Sequence, residues 1–162
     1  LEHGFRVTAA DASESSVLLT KANHRQFQRE TSSAPDVTFE VRDVMLTGYA
    51  DDRYDAVFCN RLLHHFSERA TRRTALAELR RVCTGPVIVS FFNAFSLDAV
   101  AFRLRHFIRR TTPDDRIPIP LQTFIADAAD TGLRIEEKLP VRWGISPQWY
   151  LVLRREIGRA HV

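Results

Sequence analysis

"GFRVTAADASESS", Gly4 to Ser16, sets an apolar run, Phe5 to Ala10, directly against an acid, Asp11, and passes at once into residues that favour helix starts. The run reads as a strand. Asp11 or Ser13 can cap the helix that follows, which the spacing carries to about Arg29 with Val17, Leu18, Ala22 and Phe27 on its buried side. "TSSAP", Thr31 to Pro35, is a loop, and Val37 to Val41 alternates apolar and polar residues as a second strand before stopping at Asp43. Tyr54 to Asn60 is a compact apolar run of the kind buried on both faces of a parallel sheet, and it ends at the polar Asn60.

The same alternation continues. Ser67 can cap a helix from about Glu68 to Val82 with Ala75, Leu76, Leu79 and Val82 as its apolar stripe, and Gly85 to Asn93 is the fourth and most apolar strand. A helix near Leu97 to Arg109, a Pro-rich loop through Pro120, a helix near Leu121 to Thr131 and strands near Leu133 to Leu139 and Trp149 to Arg155 complete the chain. Strands alternating with helices imply an α/β, doubly wound, Rossmann-like sheet, in which ligands bind at the carboxyl ends of the strands. Asp11, Asp43 and Asn60 all fall there.

The chain has 162 residues, 44% of them hydrophobic, which suits one globular domain with a core and excludes a disordered tail. Residues 1–155 are expected to form that domain. The last seven, "EIGRAHV", resemble a translated sequencing adapter, so residues 156–162 are expected to be a non-native tail. Cys59 and Cys83 lie in apolar runs without metal-ligand spacing, which implies buried thiols and no metal site. No apolar stretch approaches the roughly 20 residues of a membrane span, and no signal peptide is evident at the N-terminus, so a cytoplasmic protein is expected. The net charge of +3 is too small to argue for nucleic acid.

An acid at a strand end can accept both vicinal hydroxyls of a ribose, because an ionised carboxylate offers two acceptor oxygens. Asp11 suits that task, and Asp43 on the next strand can accept the exocyclic amine of adenine while the Val44 N–H meets a ring nitrogen. Taken singly, Asp11 can be a helix cap and Asp43 a turn residue closing on its own backbone. The pair on consecutive strands carries the information.

With those residues in place, the chain resembles the class I S-adenosylmethionine-dependent methyltransferases of the small-molecule type. The matching stretches are "FRVTAADAS", "VTFEVRDVMLTGYADDRYDAVFCNRLLHHF" and "ALAELRRVCTGPVIVSFFN", within a likeness that runs from about Gly4 to Arg155. The resemblance implies S-adenosylmethionine as cofactor and a mostly parallel sheet closed by a C-terminal antiparallel hairpin around "GISPQ". Trp143 and Trp149, which flank that hairpin, are expected to pack. It also implies a first, central strand and glycine-rich loop ahead of Gly4. Both are absent, so the chain reads as an N-terminally truncated fragment, expected to fold poorly and to bind cofactor weakly. Ala12 stands where the family usually places a larger apolar residue against adenine, and "TGP" where it usually has Pro-Gly-Gly.

Methyl transfer from a sulfonium is a direct displacement, so alignment and exclusion of water dominate. Where the acceptor must lose a proton, His65 in "LLHHF" is the first candidate for the base and His64 the second, against the plainer expectation that one packs and the other is solvated. Asn60 opens the same loop and can line the cofactor pocket. It is followed by Arg61 and Leu62 rather than the Pro-Pro-aromatic pattern of enzymes that methylate bases, which points to a small-molecule acceptor. "FRLRHFIRR", Phe102 to Arg110, is either a surface helix with its apolar side on the domain or a lid favouring an anionic or lipid-like acceptor. An NAD(P)-dependent short-chain dehydrogenase is the alternative enzyme, but none of Tyr49, Tyr54 or Tyr150 has a lysine four residues on. A non-catalytic Rossmann-like binding module is the alternative outside enzymes.

Overall fold

A computed structural model describes residues 4–31, 36–109 and 117–156. It divides into two compact units, Leu1–Gly48 and Tyr49–Val162. Most of the tail expected at 156–162, the loop residues 32–35 and the middle of the Pro-rich loop lie outside the described residues.

The first unit is strand, helix, strand: β1 (Val7–Asp11), α1 (Glu14–Glu30) and β2 (Val37–Val41). The strands pair in parallel, Val7 opposite Val37 through Asp11 opposite Val41. Ser13 is the helix cap, its hydroxyl accepting the Ser16 N–H at 3.3 Å, while the Asp11 carboxylate accepts the Ser13 N–H at 2.8 Å. Only Val17 of the expected apolar side is buried; Leu18, Ala22 and Phe27 are exposed. The physical reason is width: two strands offer little surface, and a helix buries apolar residues only as far as its partner extends.

The second unit carries β3 (Val57–Cys59), α2 (Arg69–Val82), β4 (Val87–Phe92), α3 (Leu97–Arg109), α4 (Leu121–Ala129), β5 (Leu133–Pro140) and β6 (Gln148–Arg155). Its sheet runs β3-β4-β6-β5, with β3 parallel to β4 and both β4–β6 and β5–β6 antiparallel. The expected hairpin is therefore present, while the described pairings are divided between parallel and antiparallel. β1 has only β2 as strand neighbour and β3 only β4 among the described residues, so each keeps an edge without a strand. At that edge Phe58 is exposed, not covered on both faces, and its ring stacks on Tyr150 with centroids 5.8 Å apart.

The core lies in the second unit. Ala75, Leu76, Leu79 and Val82 of α2 are all buried as their spacing predicts, and Val87, Val89 and Phe91 of β4 are shielded almost completely. Ser67 does not cap α2 through its side chain; Glu68 occupies the cap position, and the Ser67 carbonyl instead accepts from Arg72. Gly85 earns its place by close approach, since a Cβ there would stand 2.1 Å from the Asp55 carbonyl oxygen. The tryptophans differ: Trp149 meets Phe91 edge-on at 6.5 Å, whereas Trp143 is exposed and does not pack.

Candidate active site

In the first unit the two acids take the positions that the strands dictate. Asp11 ends β1, where its carbonyl accepts the Arg42 N–H at 3.0 Å, and Asp43 follows β2 by two residues. Both carboxyl groups thus belong to the carboxyl end of one parallel pair. Each also holds its own turn: Asp11 Oδ1 takes the Ser13 N–H and Asp43 Oδ1 takes the Met45 N–H at 2.9 Å. Local capping and a ligand role are compatible, because a carboxylate has a second oxygen to offer. Ala12 and Val44 sit beside these acids, Ala12 exposed and Val44 half-buried. Two acceptor-only groups flanking a small residue suit the hydroxyls and amine of a nucleoside.

In the second unit, Asn60 closes β3 and its Oδ1 accepts the Tyr150 hydroxyl at 3.2 Å, with Gln148 donating to the same hydroxyl at 3.0 Å. Arg61 then turns into the left-handed region, φ +56°, and its N–H is held by the buried Ser90 hydroxyl at 2.6 Å. A non-glycine residue in that conformation is held by its surroundings, and such positions cluster where a chain is shaped for a ligand. A single helical turn, Leu63–His65, follows. His64 is buried with its ring stacked on Phe92, centroids 4.3 Å apart and 9° from parallel, while His65 stays at the surface.

The histidine turn is fixed from behind. Arg72, almost wholly buried, donates from Nη1 to the carbonyls of Phe66 and Ser67, both at 2.8 Å, and pairs with the fully buried Asp127 of α4 at 2.8 Å. Arg69 adds a second guanidinium to Asp127 at 2.7 Å. Phe92 also lines a cavity of about 280 Å³, together with Asp98, Ala99, Phe102, Pro118 and Pro147. Its walls are tied to β4 by backbone bonds: Ile119 N–H to the Phe92 carbonyl and Asn93 N–H to the Pro147 carbonyl, each 2.7 Å.

Burial pushes the Cys59 thiol up to about 12, so it is no nucleophile, and both cysteines are free and buried. Among the described residues no group of three or more His, Cys, Asp or Glu is placed to hold a metal, and no helix is long and apolar enough to cross a membrane. Sequence gives no role to Ser90, Arg72 or Asp127, and points to Arg61 and Tyr150 only as departures from other families' patterns. Ser90 alone gives a signal, as the one polar residue inside "VIVSFF".

Each unit is built of strands and helices, the first with two acids at the end of its parallel pair, the second with a polar turn after β3. The family described as "Methyltransferase domain" matches residues 1–86, more than half of the chain, and the chain belongs to that family. No curated protein matches significantly. Similar solved structures include a SAM-dependent methyltransferase from Methanosarcina mazei, 14% identical with TM-score 0.73, covering 96% of this chain and 84% of that one. Magnesium protoporphyrin IX methyltransferase from Synechocystis with bound SAH is 16% identical with TM-score 0.70, covering 91% of this chain and 63% of that one. Mitomycin 7-O-methyltransferase is 14% identical with TM-score 0.63, covering 95% and 50%. At these identities the likeness is one of fold: the chain has the Rossmann-like α/β fold of methyltransferases, and it spans less than two thirds of the second and third of these proteins. Family membership favours a methyltransferase over the dehydrogenase.

Proposed function

We propose that residues 1–155 form one methyltransferase-like domain of a cytoplasmic S-adenosylmethionine-dependent methyltransferase acting on a small molecule, with no nucleic acid as substrate. The observation that carries this is the placing of Asp11 and Asp43 at the carboxyl end of adjacent, in-register parallel strands in a chain of methyltransferase family. Asp11 would accept the ribose hydroxyls, Asp43 and the Val44 N–H the adenine edge, Ala12 would leave room beside the base, and Asn60 would line the pocket. When bound, the cofactor supplies an electrophilic methyl on sulfur. Where the acceptor must lose a proton, His65, which is exposed, would take it; His64, stacked on Phe92, fits better as the wall that orients the turn.

The cavity beside Phe92 supports an acceptor with an apolar body. Of the anionic and lipid-like chemistries that α3 suggests, the lining favours the lipid-like one, because Asp98 opposes a negative charge there. The test is titration of the chain with S-adenosylhomocysteine, read by ligand-observed NMR. The chain is expected to bind weakly, and Asp11→Asn to weaken binding at least tenfold through loss of charged hydrogen bonds. Binding unchanged in both Asp11→Asn and Asp43→Asn would overturn the site.

A further inference from the structure

Among the described residues, eight of the sixteen large apolar side chains that stay exposed fall on one region of the second unit: Phe95, Leu97, Val100, Leu104 and Ile108, with Val141, Trp143 and Ile145. On α3 the spacing of Leu97, Val100, Leu104 and Ile108 puts them in one stripe about 16 Å long. Leu97, Leu104 and Ile108 are 68%, 57% and 71% exposed. The opposite side of the helix is already used, Ala99 being buried and Phe102 facing the cavity, so the stripe is a second apolar face rather than a misplaced core face. The turn at Val141–Ile145 is fastened to the start of this helix by Leu97 N–H to the Gly144 carbonyl, 3.0 Å, and Asp98 N–H to the Ile145 carbonyl, 3.2 Å. That brings Trp143, 80% exposed, next to the stripe.

The charge of the same segments selects the occupant. Among the described side chains, α3 and the turn present the exposed Arg105 and Arg142 against the single acid Asp98. A second copy of the chain would bring like charges together across an apolar contact. An anionic surface would not. An aliphatic stripe ending in a tryptophan and accompanied by arginines is the composition that lies in a lipid headgroup boundary, apolar side down, cations on the phosphates. We propose that α3 and the Trp143 turn dock the protein on an anionic lipid surface, a property independent of whether the chain transfers methyl groups.

The experiment is co-sedimentation of the 162-residue chain with vesicles of phosphatidylcholine alone and with roughly 30% phosphatidylglycerol added, at low and high salt. Binding is expected to the anionic vesicles only and to fall with salt. Leu104→Glu with Ile108→Glu should reduce it at least tenfold without changing the circular dichroism, because both side chains are exposed. Should that pair unfold the chain, Arg105→Gln with Arg142→Gln tests the charge alone and should lower anionic binding several-fold. Equal binding to both vesicle types, no binding to either, or indifference to the variants overturns the proposal. So does a dimer that the Glu variants dissolve, or equal binding to polyglutamate, which would assign the face to a second copy or to an acidic polypeptide.

Discussion

The two units divide stability and recognition unequally. Among the described residues, the first unit buries one large apolar side chain, Val17, yet holds both strand-end acids, Asp11 and Asp43; the second buries the rest of the core, including Phe91, Phe124 and Leu153. A two-stranded pair with one helix is marginal by itself, whereas a four-stranded sheet packed by helices is not. The lesson is that the two acids proposed to bind cofactor sit on the unit with the least core to hold them.

Hydrogen exchange would break or confirm that contrast with the largest effect. Amides of β1 and β2 are expected to exchange on the order of a thousandfold faster than those of β4 and β6. Comparable protection in all four strands would show that the first unit draws stability from outside its own strands. Next in size is the buried pair: Asp127→Ala leaves the Arg72 guanidinium without its carboxylate and should cost the second unit about 3–5 kcal/mol in urea unfolding followed by Trp149 fluorescence. Gly85→Ala drives a methyl group into the Asp55 carbonyl and should cost about 1–3 kcal/mol by the same measurement. A neutral result would mean that the connection to β3 can shift without loss.

The effect that shows least near neutral pH is alkaline. The Cys59 thiol is raised from 9.0 to about 12 by burial, so between those values the unfolded chain has lost the proton and the folded chain keeps it. Stability from this group is therefore complete below pH 9 and declines as pH rises toward 12, by up to about 1.4 kcal/mol per pH unit. Cys59→Ala should flatten that slope, and thiol reagents should label Cys59 and Cys83 only after unfolding.

The same contrast explains what was readable in sequence. Strand and helix positions in the second unit follow from periodicity because a wide sheet rewards every apolar residue, so α2 buries the stripe its spacing marks. α1 has an equally suggestive set in Leu18, Ala22 and Phe27, but too little sheet beneath it. α3 shows a different limit: its bounds match the expectation, yet periodicity cannot say which of two apolar faces meets the core, and Trp143 lies exposed beside it. Asp11, Asp43 and Asn60 were legible because strand ends are set by local sequence. Arg72 was not, since nothing distinguishes it from the neighbouring Arg69 and Arg73 until α4 brings Asp127 against it.

That guanidinium also sets a clock. A surface loop ordinarily fluctuates in nanoseconds to microseconds, but the turn bearing His64 and His65 ends on two carbonyls clamped to a side chain that is itself locked to α4. To open, it must break both bonds to a guanidinium that Asp127 holds in place. The turn therefore moves on the slower schedule of local unfolding, and its opening rate is governed from the other end of the unit by α4.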